Sequence, residues 1–170
     1  MFPSLKTNYF LFTGLTVTNV TLKNKIENFK KQAVKSNLVL ISSKSDTLTS
    51  TCLLFRKVSN NLNPNKQTIV EVEFGNFDRW VDKLKNAFTE CKNKPKNENV
   101  WMVSDDSTFN GVLGLINCLF QEPGGDRFRC IFSDKQLPRP IDFSKPPYKD
   151  LLCKDLAINV FKENKWGTYR

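Results

Sequence analysis

Residues 100–132 constrain the fold of this chain more than any other stretch of its sequence. Residues 100–103 (VWMV) form a short apolar run without a helical period, which predicts a buried strand. Residues 109–120 carry large apolar side chains on most sides, which predicts a largely buried helix. Residues 127–132 alternate charged and apolar residues, which predicts a second strand. Strand, helix and strand with short joints are the crossover unit of a parallel α/β sheet.

Four polar residues precede the predicted helix, and any of them can cap it by accepting a bond from a free backbone N–H. They are Asp105, Asp106, Ser107 and Thr108. Asp105 and Asp106 are also a candidate catalytic carboxylate pair. Their place between a strand and a helix favours capping, since the positive end of the helix dipole attracts a carboxylate.

The predicted helix contains two glycines and is followed by a proline and two more glycines. Gly111 and Gly114 lie about one turn apart, and each costs roughly 1 kcal/mol relative to Ala in a helix interior, so we expect close backbone packing there. Pro123 cannot continue the helix, and Gly124 and Gly125 predict a left-handed end. The two glycines are a poor phosphate cradle, because a helix C-terminus carries the wrong end of the dipole for an anion.

Hydrophobic periodicity predicts the other elements. Strands are expected at residues 9–17, 38–42, 49–58 and 68–74, helices at 22–34 and 77–88, and a hairpin at 38–58. The Pro-rich residues 137–147 are expected to be a linker, and 148–154 a short helix. Residues 156–161 and 166–170 predict a hairpin, whose strand partners we expect to be missing from this chain because an isolated hairpin is only marginally stable.

Composition narrows the classes of protein to consider. A length of 170 residues and 39% apolar content predict about one soluble domain with a real core. The net charge of +9 is compatible with an anionic partner, but the lysines are spread along the chain, which favours a solvated surface without nucleic-acid or membrane binding. Five cysteines without a CxxC pair and without histidine argue against a zinc site and for a reducing, cytoplasmic setting. No apolar run approaches the roughly 20 residues of a membrane span.

The usual catalytic motifs are absent from the sequence. There is no GxGxxG, no P-loop and no GxSxG, and a triad cannot be built without histidine. Tyr148 has Leu152, not lysine, four residues later, so a tyrosine–lysine proton-transfer pair is missing. Arg127 and Arg129 share a strand face and point either to a partner or, as we favour, to solvent. Trp101 is interpreted as a packing residue.

The residues GVLGLINCLFQEPGGDRFRCIF resemble animal type I fatty acid synthase, in the segment between its condensing half and its enoyl reductase. FDRWVDKLKNAF and NVWMV precede them in the family's order. KDLLCKDLAINVFKENKWGTYR is similar to the first hairpin of the family's enoyl reductase. STCLLFRKV and LVLIS are more weakly similar to the closing hairpin of its methyltransferase-like domain.

The resemblance implies a pseudo-ketoreductase, a truncated Rossmann half that packs beside the true ketoreductase and binds no cofactor. It implies three pieces: the tail of an inactive methyltransferase-like domain (1–60), the pseudo-ketoreductase (61–146) and an incomplete enoyl reductase start (147–170). NADPH, phosphopantetheine on an acyl carrier domain, and a homodimer belong to the full enzyme. No catalytic, cofactor-binding or metal-binding residue of the family can be carried over to this chain.

We therefore predict a non-catalytic, cytoplasmic scaffold that holds the ketoreductase and enoyl reductase domains of a fatty acid synthase. The predicted fold is a truncated Rossmann-like parallel sheet with flanking helices, preceded by a strand, helix and hairpin piece and followed by a β-hairpin. The structural residues expected to carry the packing are Trp80, Trp101, Gly111, Gly114, Leu115, Pro123 and Gly124. The alternatives are a free-standing basic module for an anionic partner and a small NADPH-dependent reductase.

Overall fold

A computed structural model divides the chain into two compact units, Met1–Asn60 and Asn61–Arg170. It describes residues 9–15, 19–45, 50–57, 62–73, 75–91, 93, 95, 97–105 and 111–168, with side chains from residue 24 onwards apart from that of residue 50. The predicted division into three domains stays a prediction.

The first unit is a three-stranded antiparallel sheet with one helix. Its elements are β1 (Tyr9–Leu15), α1 (Asn19–Lys35), β2 (Leu38–Ser45) and β3 (Ser50–Lys57). The strand order is β1-β3-β2, so the hairpin predicted for residues 38–58 is confirmed. Ala33 of α1 packs with Leu53 and Phe55 of β3, and Phe29 meets Phe55 edge-on at 5.6 Å between ring centroids.

The second unit is built on a five-stranded sheet of order β4-β5-β6-β7-β8. Its elements are β4 (Thr68–Glu71), α2 (Phe77–Cys91), β5 (Val100–Ser104), α3 (Gly111–Leu119), β6 (Phe128–Ser133), α4 (Lys149–Lys154), β7 (Ile158–Lys162) and β8 (Lys165–Gly167). Strands β4 to β7 are parallel, and β8 is antiparallel to β7. This is the α/β, Rossmann-like fold that the sequence predicts.

One face of this sheet is covered by α2 and α3. The stripe of α2 that faces the sheet repeats at helical spacing, with Trp80, Leu84, Ala87 and Cys91 buried. Alternate strand residues face the two helices, because side chains of a strand alternate between faces. On this side they are Val70, Val72, Val100, Met102, Phe128 and Cys130.

The other face is covered by residues 137–148, here called the covering segment, and by α4. Leu137, Phe143 and Tyr148 are buried against Trp101, and the rings of Trp101 and Phe143 lie 4.7 Å apart. The linker predicted for residues 137–147 is therefore wrong. The segment lacks helical or strand periodicity because proline dictates its backbone, but its apolar residues still find a large buried partner in Trp101.

The connection from β6 to β7 changes face while the strand order keeps advancing. The links through α2 and α3 both run over one face, whereas the covering segment and α4 run over the other. Two connections that step the same way across opposite faces of a sheet have opposite hands. The β6–β7 link therefore has the hand opposite to that of the two preceding links.

The last hairpin is not left without strand partners. Strand β7 pairs in parallel with β6, from Cys130↔Ile158 to Ser133↔Phe161, which corrects the expectation that its partners are missing. Glu163 and Asn164 form the turn of this hairpin, both with positive φ, of 51° and 59°. The indole of Trp166 donates to the Pro147 carbonyl at 2.7 Å, so the hairpin is also fastened to the covering segment.

Helix α3 is less buried than predicted. Val112 and Ile116 are buried, but Gly111 and Gly114 are exposed. A Cβ at either glycine meets no atom within 4 Å in the part of the chain that the structure describes, so close packing does not explain them. The reason is that α3 turns a single apolar stripe to the sheet and its glycines lie off that stripe. The expected capping residues Asp106, Ser107 and Thr108 lie outside the described residues.

A left-handed glycine follows α3, but it does not end the helix as predicted: α3 ends at Leu119, and Gly124 precedes a short 3-10 turn, Gly125–Arg127. Gly124 has φ +90°, a region that glycine enters without penalty. The next residue, Gly125, is buried, and a Cβ there would lie 1.7 Å from the Leu119 carbonyl oxygen. The chain therefore needs a glycine at both positions, one for its backbone angle and one for space.

Candidate functional site

The carboxyl ends of the parallel strands form the edge where α/β sheets bind their ligands. Glu71 ends β4 and Asp105 follows β5. Arg139, from the covering segment, bridges them: its Nη2 lies 2.9 Å from Asp105 Oδ2 and its Nη1 lies 3.4 Å from Glu71 Oε1. The backbone N–H of Leu137 also donates to Asp105 Oδ2, at 3.3 Å.

This arrangement corrects the helix-capping role predicted for Asp105, since its carboxylate faces the covering segment. Asp106, its proposed catalytic partner, lies outside the described residues. We call the three-residue contact of Glu71, Asp105 and Arg139 the Arg139 bridge. Its side chains are 25–43% exposed, so each ion pair contributes at most about 1 kcal/mol to stability. The carboxylates at this edge therefore already have a cation, which is the chain's own.

Tyr148 lies beneath the Arg139 bridge. Its hydroxyl donates to the Pro138 carbonyl at 2.5 Å, and its ring packs between Phe143 and Trp166. Burial raises the pKa of Tyr148, and among the neighbouring charges Arg139 lowers it while Asp105 and Glu71 raise it. The phenol is protonated at neutral pH and donates its hydrogen bond to a backbone carbonyl. It is therefore poorly placed to act as an acid towards a substrate.

Arg127 is buried, which contradicts the prediction of a solvated side chain. Its guanidinium donates to the carbonyls of Cys91, Pro95 and Glu98. Cys91 is the last residue of α2, whose C-terminal carbonyls carry the negative end of the helix dipole. The cation thus anchors the connector between α2 and β5 rather than a partner.

Arg129 is also buried, and it forms an ion pair with Asp155 at 2.8 Å. Asp155 Oδ1 accepts a second bond, from Asn99 Nδ2 at 3.0 Å. Asp155 lies at the end of α4 with φ 45°, so this cluster joins the starts of β5 and β6 to α4. Sequence reasoning missed Asp155, although an aspartate directly after a predicted short helix is a residue type that tolerates the left-handed region.

The two tryptophans named from the sequence lie in the core of this unit. Trp101 is fully buried, and its indole donates to Gln67 Oε1 at 3.0 Å. Gln67 Oε1 also accepts from the backbone N–H of Asn99 at 3.1 Å. Trp80 is 8% exposed and meets the exposed ring of Phe77 edge-on, at 5.0 Å between centroids. Trp80 thus packs in the core and also lines two surface cavities, a cleft and a groove.

The first cavity is a cleft of about 670 Å³ beside β4, with charged and apolar walls. It is lined by Ile69, Glu71, Glu73, Asn76, Arg79, Trp80, Lys83, Arg139, Pro140 and Ile141. The second is an apolar groove of about 550 Å³ between α2 and α3. It is lined by Glu73, Gly75, Phe77, Trp80, Val81, Leu84, Gly111, Val112 and Leu115.

Cysteine and metal chemistry find little support in the described part of the chain. Burial raises the pKa of the Cys130 thiol to about 12, so it is a neutral core residue rather than a nucleophile. Cys118 and Cys153 are exposed, free and far apart in sequence. Among the residues that the structure describes, no three His, Cys, Asp or Glu side chains gather into a metal site. No described helix combines the length and apolarity that crossing a membrane requires.

The chain matches a known protein family over most of its second unit. The family model described as "Fatty acid synthase, pseudo-KR domain" matches residues 76–170, just over half of the chain. The matched region runs from α2 to the last hairpin, and it includes residues 147–170, which the sequence assigned to the start of an enoyl reductase. The match indicates a non-catalytic structural segment with other fatty acid synthase domains as its neighbours. Because this family model covers more than half of the chain, the chain belongs to the fatty acid synthase pseudo-KR domain family.

Proposed function

We propose that this chain is a scaffold of an animal-type fatty acid synthase, which holds the ketoreductase and enoyl reductase domains without catalysing a step. Residues 1–60 are the tail of an inactive methyltransferase-like domain, and residues 147–170 lead into the enoyl reductase. The full enzyme is a cytoplasmic homodimer and carries the NADPH and phosphopantetheine. This segment binds neither cofactor, and it binds no nucleic acid or membrane.

The Arg139 bridge is the observation that carries this proposal. In a working nucleotide-binding sheet the carboxyl edge is open to the cofactor, and backbone N–H groups of a glycine-rich turn hold its phosphates. Here Asp105 and Glu71 at that edge are joined to Arg139, and the phenol of Tyr148 below them is engaged with Pro138. This edge is built to hold the chain's own covering segment.

The apolar groove between α2 and α3 is the surface we assign to the ketoreductase contact. Phe77 at its rim is 64% exposed, and large exposed apolar residues grouped around a groove are typical of an interaction site. Leu115 and Gly111, two of the residues named from the sequence, line this groove. Their role is therefore proposed to be at the contact surface rather than inside the chain.

The experiment measures association of this chain with a purified ketoreductase domain of an animal fatty acid synthase by calorimetry. Phe77→Glu is expected to weaken the association, because it places a charge on the apolar contact. Val34→Glu is the matched control, since Val34 is the other large hydrophobic residue that is exposed in the described chain, at 68%, and lies in the first unit. Equal weakening by both variants, or no association at all, would contradict the proposed contact.

A calorimetric titration with NADPH tests the non-catalytic assignment separately. We expect no binding by the intact chain. Micromolar affinity for NADPH would favour the alternative of a small reductase and would end the scaffold proposal. The other alternative is a basic module that binds an anionic partner. Arg127 and Arg129 do not support it, because both are buried and are not available at the surface.

A further inference from the structure

Strand β4 lies at the end of the second sheet and leaves one edge open. Its neighbour in the sheet is β5, and the N–H groups of Thr68 and Val72 point to the carbonyls of Asn99 and Val103 on that side. Backbone groups of a parallel strand alternate in direction, so the N–H and C=O groups of Ile69 and Glu71 point away from β5. In the described part of the chain no strand pairs with this open edge.

The open edge forms the floor of the cleft of about 670 Å³ beside β4. Arg79, Trp80 and Lys83 of α2 form one wall, and residues 139–141 of the covering segment form the other. An exposed strand edge attracts other strands unless it is covered or blocked by proline or charge. Here it lies between two walls that leave room for one extended segment and keep a second sheet away.

The charges of the cleft select the kind of segment. Arg139 is already joined to Glu71 and Asp105, and Glu73 accepts a bond from the side-chain amide of Asn76. Arg79 and Lys83 lie one helical turn apart on the exposed side of the α2 wall. Neither of them makes an ion pair with any residue that the structure describes. These two cations face the cleft and are complementary to carboxylates.

We propose that the open edge of β4 binds an extended peptide segment of another domain by strand addition, and that acidic side chains of that segment meet Arg79 and Lys83. Side chains of an added strand alternate between two sides. Acidic residues on one side face the α2 wall, and apolar residues on the other face Ile69 and Ile141. The cleft shares Glu73 and Trp80 with the α2–α3 groove, but Ile69 and Glu71 of the open edge line the cleft alone.

Binding of a fluorescently labelled peptide to the full chain tests the proposal. The probe is a peptide of about six residues, the usual strand length, that alternates valine and glutamate; the control probe alternates valine and lysine. We expect the glutamate peptide to bind about tenfold more tightly, because two partly exposed ion pairs are formed. Equal affinity for both probes would overturn the proposal.

A double charge reversal on α2 tests whether Arg79 and Lys83 select the acidic peptide. Arg79→Glu with Lys83→Glu is expected to invert the preference, so that the lysine peptide binds better. Lys85→Glu with Lys149→Glu is the matched control, because both lysines are exposed and neither lines the cleft. The control variant keeps the preference for glutamate if the proposal is right, and inversion in the control would overturn it.

Two measurements distinguish strand addition from charge attraction alone. The amides of Ile69 and Glu71 should exchange more slowly with deuterium when the glutamate peptide is bound. Ile69→Pro removes one outward donor at an edge position that tolerates proline, and should abolish binding. Ile69→Ala is its control, because it loses the same partly buried side chain but keeps the donor, and it should retain the preference for the glutamate peptide. Charge-dependent binding without amide protection would overturn the proposal. Sedimentation of the chain as a dimer that Ile69→Pro dissociates would also overturn it, because the edge would then bind a second copy of the chain.

Discussion

The Nε of Arg129 donates to Oδ1 of Asp155 across 2.8 Å, and this bond joins the start of β6 to the end of α4. The two residues are 26 positions apart in sequence, and their side chains are only 10% and 22% exposed. A charge in such a place is tolerated only with a partner. The pair therefore fixes where the connection from β6 to β7 turns back to the sheet.

Loss of this partner should destabilise the second unit clearly. Asp155→Asn retains a residue that tolerates φ 45° but removes the negative charge, so the Arg129 guanidinium is left uncompensated. We expect the free energy of unfolding to fall by about 2 kcal/mol. Urea denaturation followed by circular dichroism measures this change. Asp82→Asn, in the exposed pair with Lys85, is the control and should have no measurable effect.

Replacing Gly125 and Gly114 with alanine should change the stability of the second unit in opposite directions. Gly125→Ala places a Cβ 1.7 Å from the Leu119 carbonyl oxygen, so the backbone must move, and we expect a loss of about 2 kcal/mol or more. A Cβ at Gly114 meets no described atom within 4 Å, so Gly114→Ala should raise stability by roughly 0.5–1 kcal/mol. Thermal unfolding of both variants measures the difference, and a destabilised Gly114→Ala would show a contact at that position that this structure lacks.

Removal of the Trp101 side chain should cost far more than removal of an exposed ring. Trp101 is fully buried between the sheet and Phe143, so Trp101→Ala leaves a cavity and is expected to lower stability by about 3–5 kcal/mol. Phe77→Ala removes a ring that is 64% exposed, and we expect a loss below about 1 kcal/mol. Chemical denaturation compares the two. Similar losses would mean that the covering segment does not pack on Trp101 in solution.

Cys130 should make stability depend on pH in the alkaline range. Burial raises its pKa from 9.0 to about 12, so between these values the unfolded chain loses a proton that the folded chain keeps. The contribution is complete below pH 9 and is lost as the pH rises towards 12, with a slope of at most about 1.4 kcal/mol per pH unit. Denaturation between pH 8 and about 10.5 measures it. Cys130→Ala should reduce the slope in this range without abolishing it, because burial also raises the pKa of Tyr148, and an unchanged slope would contradict the assignment.

Elements with a clear period could be predicted from the sequence. Helix α2 was expected at residues 77–88 and spans Phe77–Cys91, because its apolar residues recur at helical spacing. Strand β5 and the hairpin of β2 and β3 were found for a similar reason, since short runs rich in β-branched and apolar residues have few alternatives.

Residues 137–148 could not be placed from the sequence. Their prolines remove the periodic signal, and their burial depends on Trp101, a residue far away in the chain. The same holds for Arg127 and Arg129. Charged and apolar residues alternate in a strand whose charged side is exposed to solvent. They alternate in the same way here, where Arg127 is buried against backbone carbonyls and Arg129 against Asp155. Long-range partners decided these positions, and a single sequence does not display them.

Trp166 in β8 links two regions that are separate in sequence. It packs on Tyr148 and donates to the Pro147 carbonyl, while the Tyr148 hydroxyl reaches back to Pro138, next to Arg139. Detaching the last hairpin therefore breaks contacts that also hold the covering segment at the carboxyl edge. We therefore expect the last hairpin and the covering segment to open together as one cooperative unfolding unit, so that a pull on the hairpin would loosen the carboxyl edge as well.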